Sequence, residues 1–288
     1  MTAGALLYAP NGALRAPWRI LAFLAVAAAC ALIVGAAIGP FDTALAATGV
    51  PMLDNAIVMC AGAGGATLVM LRWIDPRPSA DAWLDHGAAK PRRWLEGYLL
   101  GAFAIGVPSV ILLATGWLDI EPSVPGSWVG AAVRLSTLLL LAALAEELLF
   151  RGYLLTVLRE TLGWAPGIGV TSVAFAYAHV ANPGSSPRAL AIVMLAGVFL
   201  GAVVVVTRSL YAAWMAHFSW NWMMAVVLHI PVSGLATETP DYRTVETGPD
   251  WATGGAWGPE GGAGAALGIL GGIGYLMARH RRATHRNG

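Results

Sequence analysis

Residues 129–153 read VGAAVRLSTLLLLAALAEELLFRGY, an apolar run that ends in two adjacent glutamates and an arginine. A membrane-spanning helix needs about 20 consecutive, mostly apolar residues. Charged side chains within such a run are costly, at about 2.5–3.5 kcal/mol for a central Asp, Lys or Arg, and they usually mark function. This stretch therefore predicts a membrane helix that carries ionisable groups near one end.

The composition of the whole chain also indicates a membrane protein. Of its 288 residues, 57% are hydrophobic and only 11% are charged, whereas soluble domains carry about 25% charged residues. The net charge of +1 argues against a nucleic-acid partner, because nucleic acid requires a basic face. Cys30 and Cys60 are isolated from one another and predict neither a disulfide framework nor a zinc knuckle.

Working outward from residues 129–153, we predict an all-α, polytopic transmembrane helical bundle with about eight spans. The fourth span continues beyond the membrane as a helix to Leu158, and the fifth is short. The first span resembles a signal peptide, but the later spans favour its retention as a first helix. The predicted spans are residues 18–38, 52–71, 94–117, 129–150, 166–180, 189–206, 210–230 and 263–277.

One membrane domain is expected over residues 1–288, with a motif-bearing core at 140–222. Residues 231–262 are rich in Gly, Pro, Thr and acids, including Glu238 and Glu260, and predict a flexible outer loop. The positive-inside rule assigns the basic loop 75–93 and both termini to the cytoplasmic side. We therefore predict a multi-pass protein of the inner (plasma) membrane, in contact with the lipid bilayer.

The first polar motif lies at the end of the fourth span. Glu147 and Arg151 are four residues apart, so they share one helix face and can pair. Glu146 points about 100° away and, with Phe150 and Tyr153, is expected to face the bundle interior. The alternative is an ordinary ion-pair cluster at a helix end, with Arg151 reaching the interface.

Two further motifs lie in the fifth and seventh spans. Phe175 and His179 share one helix face, and so do His217 and Asn221. Polar groups in apolar helices must be satisfied within the bundle. A structural histidine and interhelical hydrogen bonding are the alternatives to a functional site.

A carboxylate, two imidazoles and a carboxamide are the groups needed to activate a water and stabilise an oxyanion. Glu146, His179 and His217 are also a candidate zinc set, since His and Glu are standard zinc ligands. Simple alternation of spans places Glu146 and His217 nearer the inner face and His179 near the outer end of its span. Pro166 and Gly169 would allow that span to be short or tilted.

The three motifs resemble those of the CAAX-protease and bacteriocin-processing (CPBP, or Abi) family of intramembrane endopeptidases. That family shows Glu-Glu-x-x-x-Arg, Phe-x-x-x-His and His-x-x-x-Asn on successive membrane helices. The three motifs are intact and in order within residues 140–222. Here they are Glu146, Glu147 and Arg151, then Phe175 and His179, then His217 and Asn221.

The resemblance implies hydrolysis of a peptide bond in a membrane protein or peptide. Glu146 would activate water, His179 would position that water or bind a metal, and His217 with Asn221 would form the oxyanion hole. Glu147 and Arg151 would hold the geometry. The aromatic side chains beside these motifs are candidate substrate-binding residues, namely Phe150, Tyr153 and Phe175. The family resemblance leaves both a zinc-dependent and a metal-free mechanism open.

Two other classes of function remain alternatives. A proton-coupled transporter also uses intramembrane Glu and His, but it predicts inverted repeats and paired broken helices, and the sequence shows neither. A non-catalytic peptide-binding or immunity protein would keep the same polar groups without hydrolysis. Replacing Glu146 by Gln separates an enzyme from a binder, and nothing in the sequence indicates a lipidated substrate.

Overall fold

A computed structural model describes residues 6–9, 12, 14–236 and 239–286 of the chain. Glu238 of the predicted outer loop, and the extreme ends of the predicted 1–288 domain, lie outside the described residues. The fold is a bundle of α-helices with one two-stranded sheet, which confirms the predicted all-α class. The helices are α1 (Ala16–Ile38), α2 (Asp42–Ala47), α3 (Leu53–Val69), α4 (Pro91–Ala114), α5 (Trp128–Glu147), α6 (Tyr153–Leu162), α7 (Trp164–Ala178), α8 (Pro187–Thr207), α9 (Leu210–Trp222), α10 (Asp250–Thr253) and α11 (Ala263–Arg286).

Three helices continue into a short π-helical turn, at Met70–Ile74, Leu148–Gly152 and Met223–Leu228. The second turn directly follows Glu146 and Glu147 and contains Arg151. The third begins two residues after Asn221. Single π-turns inside α-helices are frequently found at functional sites. Two of the three predicted motifs therefore lie beside a local change in helical pitch.

In the part of the chain that the structure describes, five helical stretches are long and apolar enough to cross a membrane, and each matches one of the predicted spans. The other three predicted spans coincide with α7, with α9 and its π-turn, and with α11. Helix α7 has only 15 residues, in agreement with the expected short fifth span. The total of eight spans remains a prediction. The five stretches are Ala16–Ala47, Leu53–Ile74, Pro91–Ala114, Trp128–Leu162 and Pro187–Thr207.

Helices α5, α6 and α7 form a long hairpin. The stretch from α5 through α6 is a continuous helical rod of 35 residues. It ends at Gly163. This residue has a φ of +88°, in the left-handed region that glycine adopts without steric cost. Helix α7 begins at the next residue and runs back along α6. The hairpin therefore returns the chain toward the level of the glutamates.

Helices α4 and α9 pack unusually closely because two glycines face α9. A Cβ atom on Gly97 would overlap the backbone of Ala212, and one on Gly101 would overlap the carbonyl oxygen of Ala216. Small residues spaced four apart allow the backbones of membrane helices to approach in this way. Since His217 follows Ala216, this contact sets the position of the third motif.

Residues 231–236 and 239–262 are folded onto one end of the bundle. Strand β1 (Leu118–Pro122) pairs antiparallel with β2 (Tyr242–Glu246), and we call this the sheet end of the bundle. Trp257 is 1% exposed and packs among the helices. The segment that was predicted as a flexible outer loop therefore contacts the bundle through a paired strand and a buried tryptophan, and its flexibility and outer location remain predictions. The opposite end, which holds residues 75–93, is called the basic end.

Candidate active site

Glu147 and Arg151 form an ion pair inside the bundle. The distance from Arg151 Nη1 to Glu147 Oε1 is 3.0 Å, and both side chains are 0% exposed. The Arg151 guanidinium also lies 4.2 Å from the centre of the Phe175 ring, a distance at which a cation is attracted to the ring face. The first motif is thus a buried cluster that contacts the second motif, rather than an exposed pair at a helix end.

His217 joins the same cluster from helix α9. Its Nδ1 lies 2.9 Å from Glu147 Oε1, so Glu147 accepts hydrogen bonds from both His217 and Arg151. The carboxylate fixes the tautomer by accepting a hydrogen bond from Nδ1–H. The other ring nitrogen, Nε2, lies 3.8 Å from Glu146 Oε2. Glu147 therefore orients the imidazole, and Glu146 faces its free nitrogen.

His179 lies at the end of helix α7, where the chain leaves the helix. Its Nδ1 is 2.8 Å from the backbone carbonyl oxygen of Phe175. This carbonyl can only accept, so Nδ1 carries the proton and Nε2 of the neutral ring has a free lone pair. The Phe175 ring centre lies 4.8 Å from the His179 ring centre and 5.8 Å from that of His217. Phe175 therefore contacts both imidazoles.

The hairpin explains how His179 reaches the level of the glutamates. Glu147 precedes Gly163 by 16 positions, and His179 follows it by 16. At 1.5 Å per helical residue, each therefore lies about 24 Å from the turn. Simple alternation of complete spans would separate these residues, but the structure places His179 and His217 in one cavity, as a short fifth span allows.

A small cavity of about 40 Å³ lies where the second and third motifs meet. His179, His217 and Asn221 line it together with the Phe175 ring. Since one water needs about 10–15 Å³ of such volume, the cavity has room for very few waters. Glu146 faces His217 from beside the cavity, and its buried Oε2 accepts no hydrogen bond from the residues that the structure describes. That oxygen is free to accept a proton from a water.

Glu260 is a cavity residue that the sequence analysis did not identify. It lines the same cavity, is 7% exposed and accepts a hydrogen bond of 3.0 Å from Trp220 Nε1. Its other carboxylate oxygen accepts from the backbone N–H of Ser233. The sequence around it, Gly-Pro-Glu-Gly, predicts only a turn. Its closeness to the apolar run at 263–277 was the one available signal.

The aromatic residues that were predicted to bind substrate occupy different places. Phe175 lines the cavity. The ring of Phe150 packs edge-on against the ring of Phe175, with the ring centres 5.5 Å apart. Tyr153 lies outside the cavity. Its hydroxyl donates to Asp75 Oδ2 at 2.7 Å and accepts from Arg19 at 3.2 Å. The prediction for Tyr153 is corrected, because the π-turn after Glu147 rotates the following residues to another side of the helix.

The predicted zinc set does not fit this geometry. Across residues 6–9, 12, 14–236 and 239–286, no three His, Cys, Asp or Glu side chains lie close enough together to hold a metal ion. A catalytic zinc needs three protein ligands and an open position. The ring of Phe175 packs against both His179 and His217. We therefore derive no chemical step through a metal.

Three comparisons with known proteins bear on this site. Residues 128–223 match the family model described as "Type II CAAX prenyl endopeptidase Rce1-like". A curated relative, an uncharacterized 24.3 kDa protein of Escherichia coli, is 32% identical over 120 residues, which cover 39% of this chain and 52% of the relative. The match thus spans about half the length of that relative. No solved structure matches the chain.

The matched region begins at the first residue of α5 and ends just after Asn221. It contains all three motifs and the two helices that join them. The resemblance predicted from those motifs is therefore confirmed: over residues 128–223 this chain is similar to the Rce1-like family.

Proposed function

We propose that this protein is an intramembrane endopeptidase that hydrolyses a peptide bond of a membrane-associated protein or peptide. The observation that carries the proposal is the pairing of Glu146, with a buried free oxygen, and the Nε2 atom of His217 at 3.8 Å. A carboxylate that has no hydrogen-bond donor of its own can act as a general base within an apolar bundle. The match to the Rce1-like family supports the same class of reaction.

In the proposed mechanism Glu146 removes a proton from water, and the hydroxide attacks the carbonyl carbon of the scissile bond. The free Nε2 of His179 accepts a hydrogen bond from the same water and orients it. The C–N bond then breaks, and Glu146 returns its proton to the leaving amine nitrogen. This cycle leaves every protein group in its starting state.

The negative oxygen of the tetrahedral intermediate needs donors that are already in place. Asn221 lines the cavity one helical turn from His217 and offers its amide N–H groups. The His217 ring, when protonated, offers Nε2–H while its Nδ1–H remains held by Glu147. Glu147 and Arg151 are positioning residues in this scheme, because they touch other side chains rather than the substrate.

The cavity as it stands is closed to a peptide. A volume of about 40 Å³ is far below the 300–1,000 Å³ of pockets that bind drug-sized ligands. The wall of the cavity toward the sheet end includes Glu260, which links helix α9 through Trp220 to the turn at Ser233. We propose that this wall moves when substrate enters the site.

The test uses purified protein in liposomes with a pool of membrane-tethered peptides. Wild type is expected to cleave at least one peptide, and Glu146→Gln is expected to lose roughly 100-fold or more of that rate, the contribution typical of a general base. His179→Ala is expected to be similarly impaired. Each sample is run with and without a chelator, and the scheme above predicts no effect of chelation.

Glu121→Gln is the matched control, because Glu121 is an exposed carboxylate on β1 at the sheet end. Cleavage that persists unchanged in Glu146→Gln would contradict the proposed base. If neither wild type nor Glu146→Gln cleaves any peptide but both bind one equally, the non-catalytic peptide-binding alternative replaces the protease. Loss of cleavage by chelation would contradict the metal-free scheme.

A further inference from the structure

A second concave site lies between helices α4 and α11, and it shares no lining residue with the cavity at the motifs. It is a groove of about 610 Å³. Every third or fourth residue of α4 lines one wall, so a single face of that helix follows the groove along most of its length. The wall residues include Leu99, Phe103, Val107 and Ile111 on α4, and Leu267, Gly268, Gly271, Gly272 and Tyr275 on α11.

The dimensions of the groove suit an acyl chain. Its α4 wall runs from Glu96 to Ile111, which is about 22 Å at 1.5 Å per residue. Half of a bilayer's hydrocarbon core is about 15 Å thick. The groove therefore exceeds the depth of one leaflet, and its volume lies within the range of ligand pockets. Apart from Glu96 at one end, the lining is apolar.

Glycines on α11 form the open floor of this groove. A Cβ atom on Gly268 would overlap the Ala104 carbonyl oxygen, so the two helices approach closely there. One turn further on, nothing lies within 4 Å of the position of a Cβ on Gly271. The side chains of Phe103 and Tyr275 project on either side and are exposed. The groove is thus deep at its floor and open toward the surrounding lipid.

Positive charge collects where the groove reaches the basic end. Glu96 lies at this mouth and pairs with Arg93 at 3.2 Å and with Arg279. Arg92 and Arg93 both lie within electrostatic range of Arg279. Three guanidinium groups thus face one carboxylate, which leaves an excess of positive charge. Arg282 follows one turn after Arg279 and is exposed.

We propose that this groove binds an anionic phospholipid, with an acyl chain along α4 and α11 and its phosphate at Arg93 and Arg279. Guanidinium groups match phosphate through paired hydrogen bonds. The charge decides between occupants. An apolar helix from a second copy would fill the groove but leave the arginines at its mouth without counter-charge, and a zwitterionic lipid would offset its phosphate with its own amine. The proposal is independent of the peptidase activity.

The experiment measures lipid binding to the full-length protein by native mass spectrometry after reconstitution with phosphatidylglycerol and phosphatidylcholine. Phosphatidylglycerol is expected to remain bound, with affinity reduced about tenfold by Arg279→Gln, because the variant loses a charge-assisted hydrogen bond to the phosphate. Gly271→Phe is expected to cause a comparable loss, because its side chain would occupy the groove. Inorganic phosphate and glycerol phosphate, which lack the acyl chain, are expected to bind weakly.

Gly274→Phe is the matched steric control. Gly274 also has nothing within 4 Å of a Cβ position, but it does not line the groove. Arg243→Gln, at the exposed ion pair with Glu121, is the charge control. Equal retention of the two lipids, or binding unaffected by both Gly271→Phe and Arg279→Gln, would overturn the proposal. Dimer formation that Gly271→Phe abolishes, without a lipid preference, would assign the groove to a second copy instead.

Discussion

At the scale of single residues, Glu147 has the largest structural role in the candidate site. Its Oε1 accepts hydrogen bonds from Arg151 and from His217, and it has no exposed surface. Glu146, the next residue, is partly exposed and faces the free nitrogen of His217. The two adjacent glutamates thus have different tasks: one holds the cluster together and the other faces the proposed chemistry.

We predict that Glu147→Ala lowers the free energy of unfolding by about 3–5 kcal/mol, because removing one partner leaves the Arg151 charge buried and uncompensated. Glu146→Ala is the matched control and is expected to cost less than about 1 kcal/mol, since its carboxylate pairs with no arginine. Denaturant titration of both variants in detergent checks the difference. Equal costs for the two substitutions would show that Glu147 does not hold the cluster.

At the scale of helices, the contact between α4 and α9 positions the third motif. Gly97 and Gly101 of α4 permit the close approach of the two helices. They lie against the backbone of Ala212 and Ala216 on α9. Ser209 begins α9 by accepting a hydrogen bond from the N–H of Ala212 and donates its own proton to the carbonyl of Ala88 at 2.6 Å. The start of the helix and its packing face are therefore both fixed before the chain reaches His217.

We predict that Gly101→Val separates α4 from α9 and lowers stability by about 1–3 kcal/mol, the cost of forcing extra volume into a packed contact. Activity is expected to fall with it, because His217 and Asn221 move with α9. Gly169→Val is the control, since no atom lies within 4 Å of a Cβ at that helical position. Thermal unfolding and peptide cleavage of the two variants, measured together, test the prediction. A Gly101→Val protein as stable as the Gly169→Val protein would contradict it.

At the scale of the whole molecule, an ionic network at the basic end joins α1 to the motif-bearing core. Arg19 of α1 lies 2.7 Å from Asp75 and 3.0 Å from Glu160, and Arg77 lies 2.6 Å from Glu160. Tyr153 donates to the same carboxylate of Asp75. This network ties the first helix and the segment after α3 to α6.

Asp75 lies just beyond its helix, and its charge state links the network to pH. Burial raises the pKa of Asp75, but hydrogen bonds from Tyr153 and Arg77 and the charge of Arg19 outweigh this effect, so that the pKa lies below its usual range. A lowered pKa means that the folded state favours the charged form. The resulting stability is fully present above the usual aspartate pKa of about 3.9 and is lost as pH falls through the lower, folded value.

We predict that Asp75→Asn lowers stability by about 1–3 kcal/mol at neutral pH, because Arg19 and Arg77 lose a shared partner. The difference between wild type and this variant is expected to shrink as the pH falls below about 4. Unfolding measured from pH 7 to pH 3 checks both statements. A difference that stays constant across this range would contradict the assigned role of the Asp75 charge.

The sequence alone determined where the long apolar helices lie and which residues share a helix face. The spans follow from the length of apolar runs, and the pairs Glu147–Arg151, Phe175–His179 and His217–Asn221 follow from a repeat of 3.6 residues per turn. Both are local properties that depend only on neighbouring residues. For the same reason the family resemblance could be recognised from three short motifs.

Only the tertiary structure decided which of these faces meet. The depth of His179 depends on where α7 begins and ends relative to α5, and the contact of Glu147 with His217 depends on the packing of α9 against α4. Glu260 lines the cavity beside residues that are distant from it in the chain. The periodicity of the sequence does not predict such a contact. Tyr153 left the site because a π-turn changed the helical phase. These outcomes arise from contacts between elements, and the physical reason is that a helix pattern specifies a direction around its own axis but not the neighbour that lies there.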